Sequence, residues 1–384
     1  MKGKMETGKK STGYGKKVSR QTTQNHAAAR ADTAPIILTK TRPSHRIAEM
    51  GDGQPVVQNS LTMDEVWELY RPDIEEIESH IRRNLNSEAP LINEIAAHIL
   101  DGGGKRIRPL LLSLCSRLTG YIPKDDLVLG SLIEFIHTAT LLHDDVLDEA
   151  TLRRGRPAAR RIWGNRASIL AGDYLYSRAM HHIAAFKNHE VNDAMALACK
   201  RLAEGEILQL CANRQPLLPE AEYLRIVEYK TGALLAAACK VGGLMGGVSS
   251  LQAEELYHFG LNVGIAFQLA DDWLDYTANE RNLGKTLGQD LMQGMVTLPL
   301  IHVLPRLPAE ERKSMVAKIE RNAIEEGDLL RLTASMHEHG SLSHTRTRSR
   351  EYIDAALSNL TTFDDSTAKR ALIVVADYMV NRDS

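Results

Sequence analysis

Two short segments, DDVLD at 144–148 and DDWLD at 271–275, share the spacing D-D-x-L-D, and each closes an apolar run with helical periodicity. A helix that is apolar along its length and acidic at its end needs other helices around it and a positive charge at its tip. Residues four apart on a helix lie about 40° apart around the axis, so Asp144 and Asp148 project from one face, with Asp145 beside them. Carboxylates this close repel unless a cation sits among them, and Mg²⁺ suits the spacing because it uses one or two carboxylates and completes its shell with water and phosphate oxygens. At ordinary aspartate usage one such pattern arises by chance in roughly one chain in ten of this length, and two in well under one in a hundred. The repeat therefore argues for a metal-bearing mouth on an apolar channel, against the simpler picture of two solvated acidic helix ends.

The rest of the chain agrees with a helical scaffold. From Leu61 onward apolar residues recur every three or four positions, beginning with Thr62 as an N-cap and Glu65 at the third helical position. Breaks fall at Gly102–Gly104, Gly155–Pro157, Pro216–Pro219, Gly242–Ser250 and Asn279–Gly294. Period-2 runs bounded by hairpin turns are missing and aromatics are only 5%, which argues against strands. The expectation is a single all-α domain over 61–384, a large helical bundle around a central apolar cavity.

Residues 1–60 are of another kind. They are rich in Lys, Ser, Thr and Gly and nearly free of large apolar side chains, so they are expected to form a disordered basic extension. A transit peptide is the alternative, but Lys outnumbers Arg and no apolar helical face appears. With 43% apolar residues, 25% charged and a net charge of −2, nothing in the bulk composition calls for nucleic acid or an anionic membrane. Cys115, Cys199, Cys211 and Cys239 show no CxxC spacing and read as reduced core thiols of a cytoplasmic protein.

Local basic groups complete the chemistry. In GGGKRIRP (102–109) a glycine turn is followed by Lys105, Arg106 and Arg108 near a helix start, where backbone N–H groups and cations can meet an anion. Arg153 and Arg154 follow Asp148 by five and six residues. Lys230 in EYKTG and Lys285 in NLGKTLGQD stand beside apolar helices. Each alone is an ordinary surface cation; with two acidic clusters they form cradles for two diphosphates.

These residues carry a resemblance. GGGKRIRP, EFIHTATLLHDDVLDEATLRRGRP, GDYLYSRA, EGEILQL, YKTG, FQLADDWLDY, LGKTLGQD and TLPLI occur in the order found in the all-trans isoprenyl diphosphate synthases, and the chain from about residue 90 to its end most resembles their long-chain polyprenyl branch. The resemblance implies an all-α fold, usually a homodimer, that joins isopentenyl diphosphate to an allylic diphosphate such as farnesyl or geranyl diphosphate. It implies Mg²⁺ at Asp144 and Asp148 on one side of the allylic diphosphate and at Asp271 on the other, with Mn²⁺ as a substitute, and Asp145, Asp272, Asp275 and Asp290 as nearby carboxylates. Arg153, Lys230 and Lys285, with Gln268 alongside, would hold the allylic diphosphate; Lys105, Arg108, His137 and Arg154 would hold that of isopentenyl diphosphate. Thr231 and Gln268 would flank the reacting carbons, and Glu206 and Gln209 the upper wall. One position departs from the family pattern: the lysine it commonly carries five residues beyond Asp290 is Met295 here.

The chemistry that follows is ionisation of the allylic diphosphate, attack by the double bond of isopentenyl diphosphate, and loss of a proton. Ala139 and Thr140, one turn before Asp144, stand where short-chain members carry aromatic blockers. With Ile136 below as lining or floor, the expected product is about C30 to C50, for a quinone side chain. A cytoplasmic location, and a transient membrane contact for product release, go with that reading. A class I terpene cyclase would carry one DDxxD and a different second motif. A non-catalytic prenyl-diphosphate-binding partner subunit would be expected to have lost the aspartates, and Met295 alone favours it.

Overall fold

Thr62 sets the start of the first helix: its hydroxyl accepts the Glu65 amide at 3.3 Å while the Glu65 carboxylate accepts the Thr62 amide at 2.7 Å. The computed structural model describes residues 61–120, 125–277 and 288–381, and these form one compact unit. The extension over 1–60 and Lys285 lie outside the described residues.

The helices are α1 (Met63–Asn84), α2 (Pro90–Leu100), α3 (Ile107–Ser116), α4 (Asp126–Leu147), α5 (Ala159–Ala185), α6 (His189–Ala212), α7 (Glu220–Val227), α8 (Ala233–Met245) and α9 (Ser250–Thr277), then α10 (Gln289–Met292), α11 (Leu298–Val303), α12 (Ala309–Glu320), α13 (Glu326–Glu338), α14 (Ser341–Asn359) and α15 (Thr367–Asn381). The all-α reading holds, with one small exception. A two-residue antiparallel ribbon, β1 (Leu152–Arg153) and β2 (Arg156–Pro157), pairs Arg153 with Arg156 around Gly155. It is too short to show an alternating pattern.

Three apolar clusters meet along α8 and α9. One joins α2, α4, α5 and α6 to α8; the second packs α1, α3, α14 and α15 against α8 and α9; the third gathers α7, α11, α12 and α13 beside the end of α9. Every residue of α8 from Ala233 to Gly243 except Lys240 is buried, as expected of a helix surrounded on all sides. The sequence break at Gly242 is not a break: a Cβ at this position would lie 2.3 Å from the Leu112 carbonyl oxygen, so glycine serves here to let α3 and α8 touch. The true stop follows Met245. Cys115, Cys199 and Cys239 are buried as expected, but Cys211 lies exposed on α6. Among the described residues no helix is long and apolar enough to cross a membrane.

Candidate active site

The apolar run of α4 delivers Asp144 to its last turn, and Asp148 ends the helix, its amide donating to the Asp144 carbonyl at 2.8 Å. Asp144 is half-buried and its carboxyl is pushed up to about 7, first by burial and then by Glu206 and Asp148, against the pull of Lys230 and Arg153. Asp148 is raised for the same leading reason. Asp145 is fully buried and accepts the Arg153 Nε–H at 2.8 Å, so it holds Arg153 at the edge of the ribbon; its Oδ2 has no hydrogen-bond partner among the described residues.

On α9, Asp271 faces the same cavity as Asp144. Its neighbour Asp272 turns inward, accepting the Gln268 amide at 2.9 Å and the Tyr223 hydroxyl. Burial pushes Asp272 up to about 6 against those two hydrogen bonds. Gln268 in turn accepts the Thr231 hydroxyl at 3.1 Å. The chain Tyr223–Asp272–Gln268–Thr231 thus fixes two polar side chains on the cavity wall. Asp275 accepts the amides of Gln289 and Asp290 at 3.1 and 3.2 Å and so ties the start of α10 to the end of α9.

Lys230 and Thr231 reach the wall through a local change of helix type. Residues Glu228–Gly232 form a π-helical turn between α7 and α8, and the extra residue per turn re-aims both side chains. The sequence shows one unbroken helical period there, so the turn was not legible in it. Lys230 pairs with Glu206 of α6 at 2.8 Å.

A second group of basic side chains lines the same cavity. Lys105, Arg108, His137 and Arg154 all line the cavity, with Arg106 among them. Arg106 is nearly buried in a left-handed conformation (φ 44°) and pairs with the buried Glu134 at 3.0 Å. Burial holds Arg108 and Arg154 below their ordinary values, with Glu134 as the opposing counter-charge. Burial, then the charges of Arg108, Arg154, Arg153 and Arg106, holds His137 well below the usual imidazole range, so its ring is neutral at pH 7.

One cavity of about 1080 Å³, just above the ~300–1,000 Å³ usual for ligand pockets, is lined by Asp144, Asp271, Lys230, Thr231 and Gln268 together with the second basic group, but not by Asp145, Asp148, Asp272 or Asp275. Ala139 and Thr140 line it, as expected, and it runs on past Tyr176, Cys199 and Leu202. Ile136 does not line it: its side chain is fully buried in the apolar cluster of α4 and α5, because the stripe that faces the cavity passes through His137 and Thr140. Met295 and Gln209 are off the wall too, with the Gln209 amide donating to the Met295 sulfur at 3.0 Å. Sequence reading missed Tyr223, Glu134 and Tyr378, which have no local signature.

Among the described residues no three His, Cys, Asp or Glu side chains form a ready ion cage. The donor set nevertheless fits a hard divalent ion. Mg²⁺ needs only one or two carboxylates when phosphate oxygens complete its shell, and a carboxyl raised to about 7 beside Asp148 is one that gains from a cation.

Comparison with known proteins decides the family. Residues 89–336 match the family model described as polyprenyl synthetase. The chain is 38% identical to the octaprenyl diphosphate synthase of Haemophilus influenzae, over 85% of this chain and 99% of that protein. The structure superposes with a TM-score of 0.80 on a decaprenyl diphosphate synthase from Rhodobacter capsulatus, at 39% identity over 84% of this chain and 99% of that one.

The chain belongs to the polyprenyl synthetase family. As a member it is a chain-elongating trans-prenyltransferase of the all-α isoprenoid-synthase fold. A terpene cyclase or a non-catalytic partner subunit is not favoured by these relatives. Also similar, with a TM-score of 0.80, is a polyprenyl synthase from Caulobacter crescentus solved with calcium and isoprenyl diphosphate; it is 37% identical over 85% of this chain and all of that one.

Proposed function

We propose that the protein lengthens an allylic diphosphate, farnesyl or geranyl, by repeated addition of isopentenyl diphosphate to an all-trans product of about C30 to C50, for a quinone side chain. The observation that carries this reading is a single cavity whose wall holds Asp144 and Asp271 with Lys230 on one part and Lys105, Arg108, His137 and Arg154 on another. Two groups of cations on one apolar chamber suit two diphosphates, one to leave and one to stay. The small side chains of Ala139 and Thr140 and the names of the octaprenyl and decaprenyl relatives support a long product.

In this reading Asp144, Asp148 and Asp271 hold Mg²⁺, with Asp145, Asp272 and Asp275 behind them. The relative solved with calcium and isoprenyl diphosphate supports divalent-ion binding here. Bound there, the ion would neutralise charge growing on the leaving diphosphate. Arg153 and Lys230 share that task, Lys230 exchanging its Glu206 partner for a phosphate oxygen. Lys105, Arg108, Arg154 and neutral His137 hold isopentenyl diphosphate so that its double bond lies against the allylic carbon, which turns a bimolecular encounter into positioning. Thr231 and Gln268 turn oxygen dipoles toward the cationic carbons, and the apolar wall excludes water. The new carbon–carbon bond forms, a proton leaves to the departing diphosphate held by Arg153 and Lys230, and the product is an allylic diphosphate one unit longer.

A homodimer goes with this reading. α5 and α6 expose Leu170 and Leu210 at 64% and 62%, and Ile169 and Leu197 less so, apolar surface that a second copy would cover. Light scattering tests it. A cytoplasmic enzyme that meets a membrane briefly to release product is the corresponding location, tested by cell fractionation.

Steady-state kinetics test the two-site assignment. Lys105→Met or Arg154→Met should raise the KM for isopentenyl diphosphate and leave the allylic KM alone, whereas Arg153→Met should do the reverse. Equal effects on both substrates would overturn the division of the cavity.

A further inference from the structure

Lys105 is exposed, on the turn between α2 and α3, and makes no ion pair among the described residues. Its contact is with the far end of the chain. The ammonium donates to the Tyr378 hydroxyl at 2.7 Å and stands 5.1 Å from the centre of the same ring. Tyr378 belongs to α15, the last helix, which packs on α1, α3 and α9. Its neighbour Met379 is buried, and Asp377 pairs with Arg350 of α14 at 2.8 Å, so the ring is carried by a well-anchored element. Tyr378 and Met379 also line the cavity that holds Arg108, His137 and Arg154.

We propose that Tyr378 is a positioning residue for the diphosphate of isopentenyl diphosphate, acting through Lys105. The inference rests on the reading of Lys105 given above. A free lysine has many rotamers, and an anion that captures it must freeze them. A hydroxyl that accepts from the ammonium, on a ring fixed in the cavity wall, holds Lys105 over the cavity before substrate arrives. The ammonium carries three donors, so a bond to Tyr378 leaves two for phosphate oxygens. Tyr378 acts on one substrate alone, because Arg153 and Lys230 of the other diphosphate are held by other partners, Asp145 and Glu206.

A double-mutant cycle tests this on the full-length enzyme. Tyr378→Phe, which keeps the ring and removes the hydroxyl, should raise the KM for isopentenyl diphosphate about 3- to 10-fold while kcat and the allylic KM stay within about twofold. Tyr378→Leu, which removes the hydroxyl and the ring that carries it, should raise it at least as much. In a Lys105→Met background neither change should have any further effect. An unchanged KM in Tyr378→Phe, additive effects in the double mutant, or an equal rise in the allylic KM would each overturn the inference. If Lys105→Met itself leaves the KM unchanged in an active enzyme, the assignment of Lys105 fails and the role of Tyr378 falls with it; if only the tyrosine variants are silent, Lys105 stands without it.

Discussion

Gly205 of α6 lies directly against the backbone of Lys230: a Cβ at position 205 would stand 2.6 Å from the Lys230 amide nitrogen. The π-helical turn that aims Lys230 and Thr231 is therefore braced by a residue with no side chain. Gly205→Ala must push α6 away from that turn, and should cost about 1–3 kcal/mol of stability together with a rise in the allylic KM. Thermal denaturation beside substrate kinetics checks both, and an unchanged allylic KM would mean that the brace does not position Lys230.

The aspartates of the two motifs should separate by role. Asp144→Ala and Asp271→Ala, on the cavity wall, should lower kcat by at least about 10²–10³-fold with helicity by circular dichroism intact. Asp272→Ala leaves the Tyr223 hydroxyl and the Gln268 amide without their acceptor, and should lose about 1–3 kcal/mol of stability as well. Full turnover in either wall variant would remove the metal assignment.

Product length should respond to the wall and not to the core behind it. Ala139→Phe narrows the cavity and should shorten the polyprenol, whereas Ile136→Val should cost about 0.5–1.5 kcal/mol and leave the product distribution in place. Chromatography of dephosphorylated products distinguishes the two, and a shift in the second variant alone would relocate the channel.

Acidification should destabilise the protein through His302. Burial, then the neighbouring His344, stacked at 4.2 Å, and Arg306 lower its pKa from 6.5 to about 4, with His339 adding to this and Glu220 opposing it. Between those values the unfolded chain binds a proton that the folded chain refuses, so stability falls as pH falls through that window. His302→Gln should flatten the fall in thermal midpoint between pH 6.5 and 4; an identical slope would assign the acid sensitivity elsewhere.

What the sequence revealed was what is local. The place of Asp144 and Asp271 at the ends of apolar helices could be read because their spacing and the apolar run before each lie within a few turns of one helix. The capped start at Thr62 and the basic turn at Lys105 were legible for the same reason. Tertiary partners were not. Whether Asp272 faces the cavity or Tyr223 depends on a residue 49 positions away, and the contact of Lys105 with Tyr378 spans 273 positions. Ile136 misled because a helix stripe fixes neighbours to within a residue, while the cavity selects one side of that stripe. Gly242 misled because a glycine that ends a helix and one that admits another helix look alike in sequence.

The most direct measurement is a product assay on the purified protein with radiolabelled isopentenyl diphosphate, farnesyl diphosphate and Mg²⁺, chain length being read after dephosphorylation. The account predicts one discrete polyprenol of about C30 to C50, lost when EDTA is added. A folded protein that yields no elongated product from any allylic primer, or yields it equally with EDTA, would contradict it.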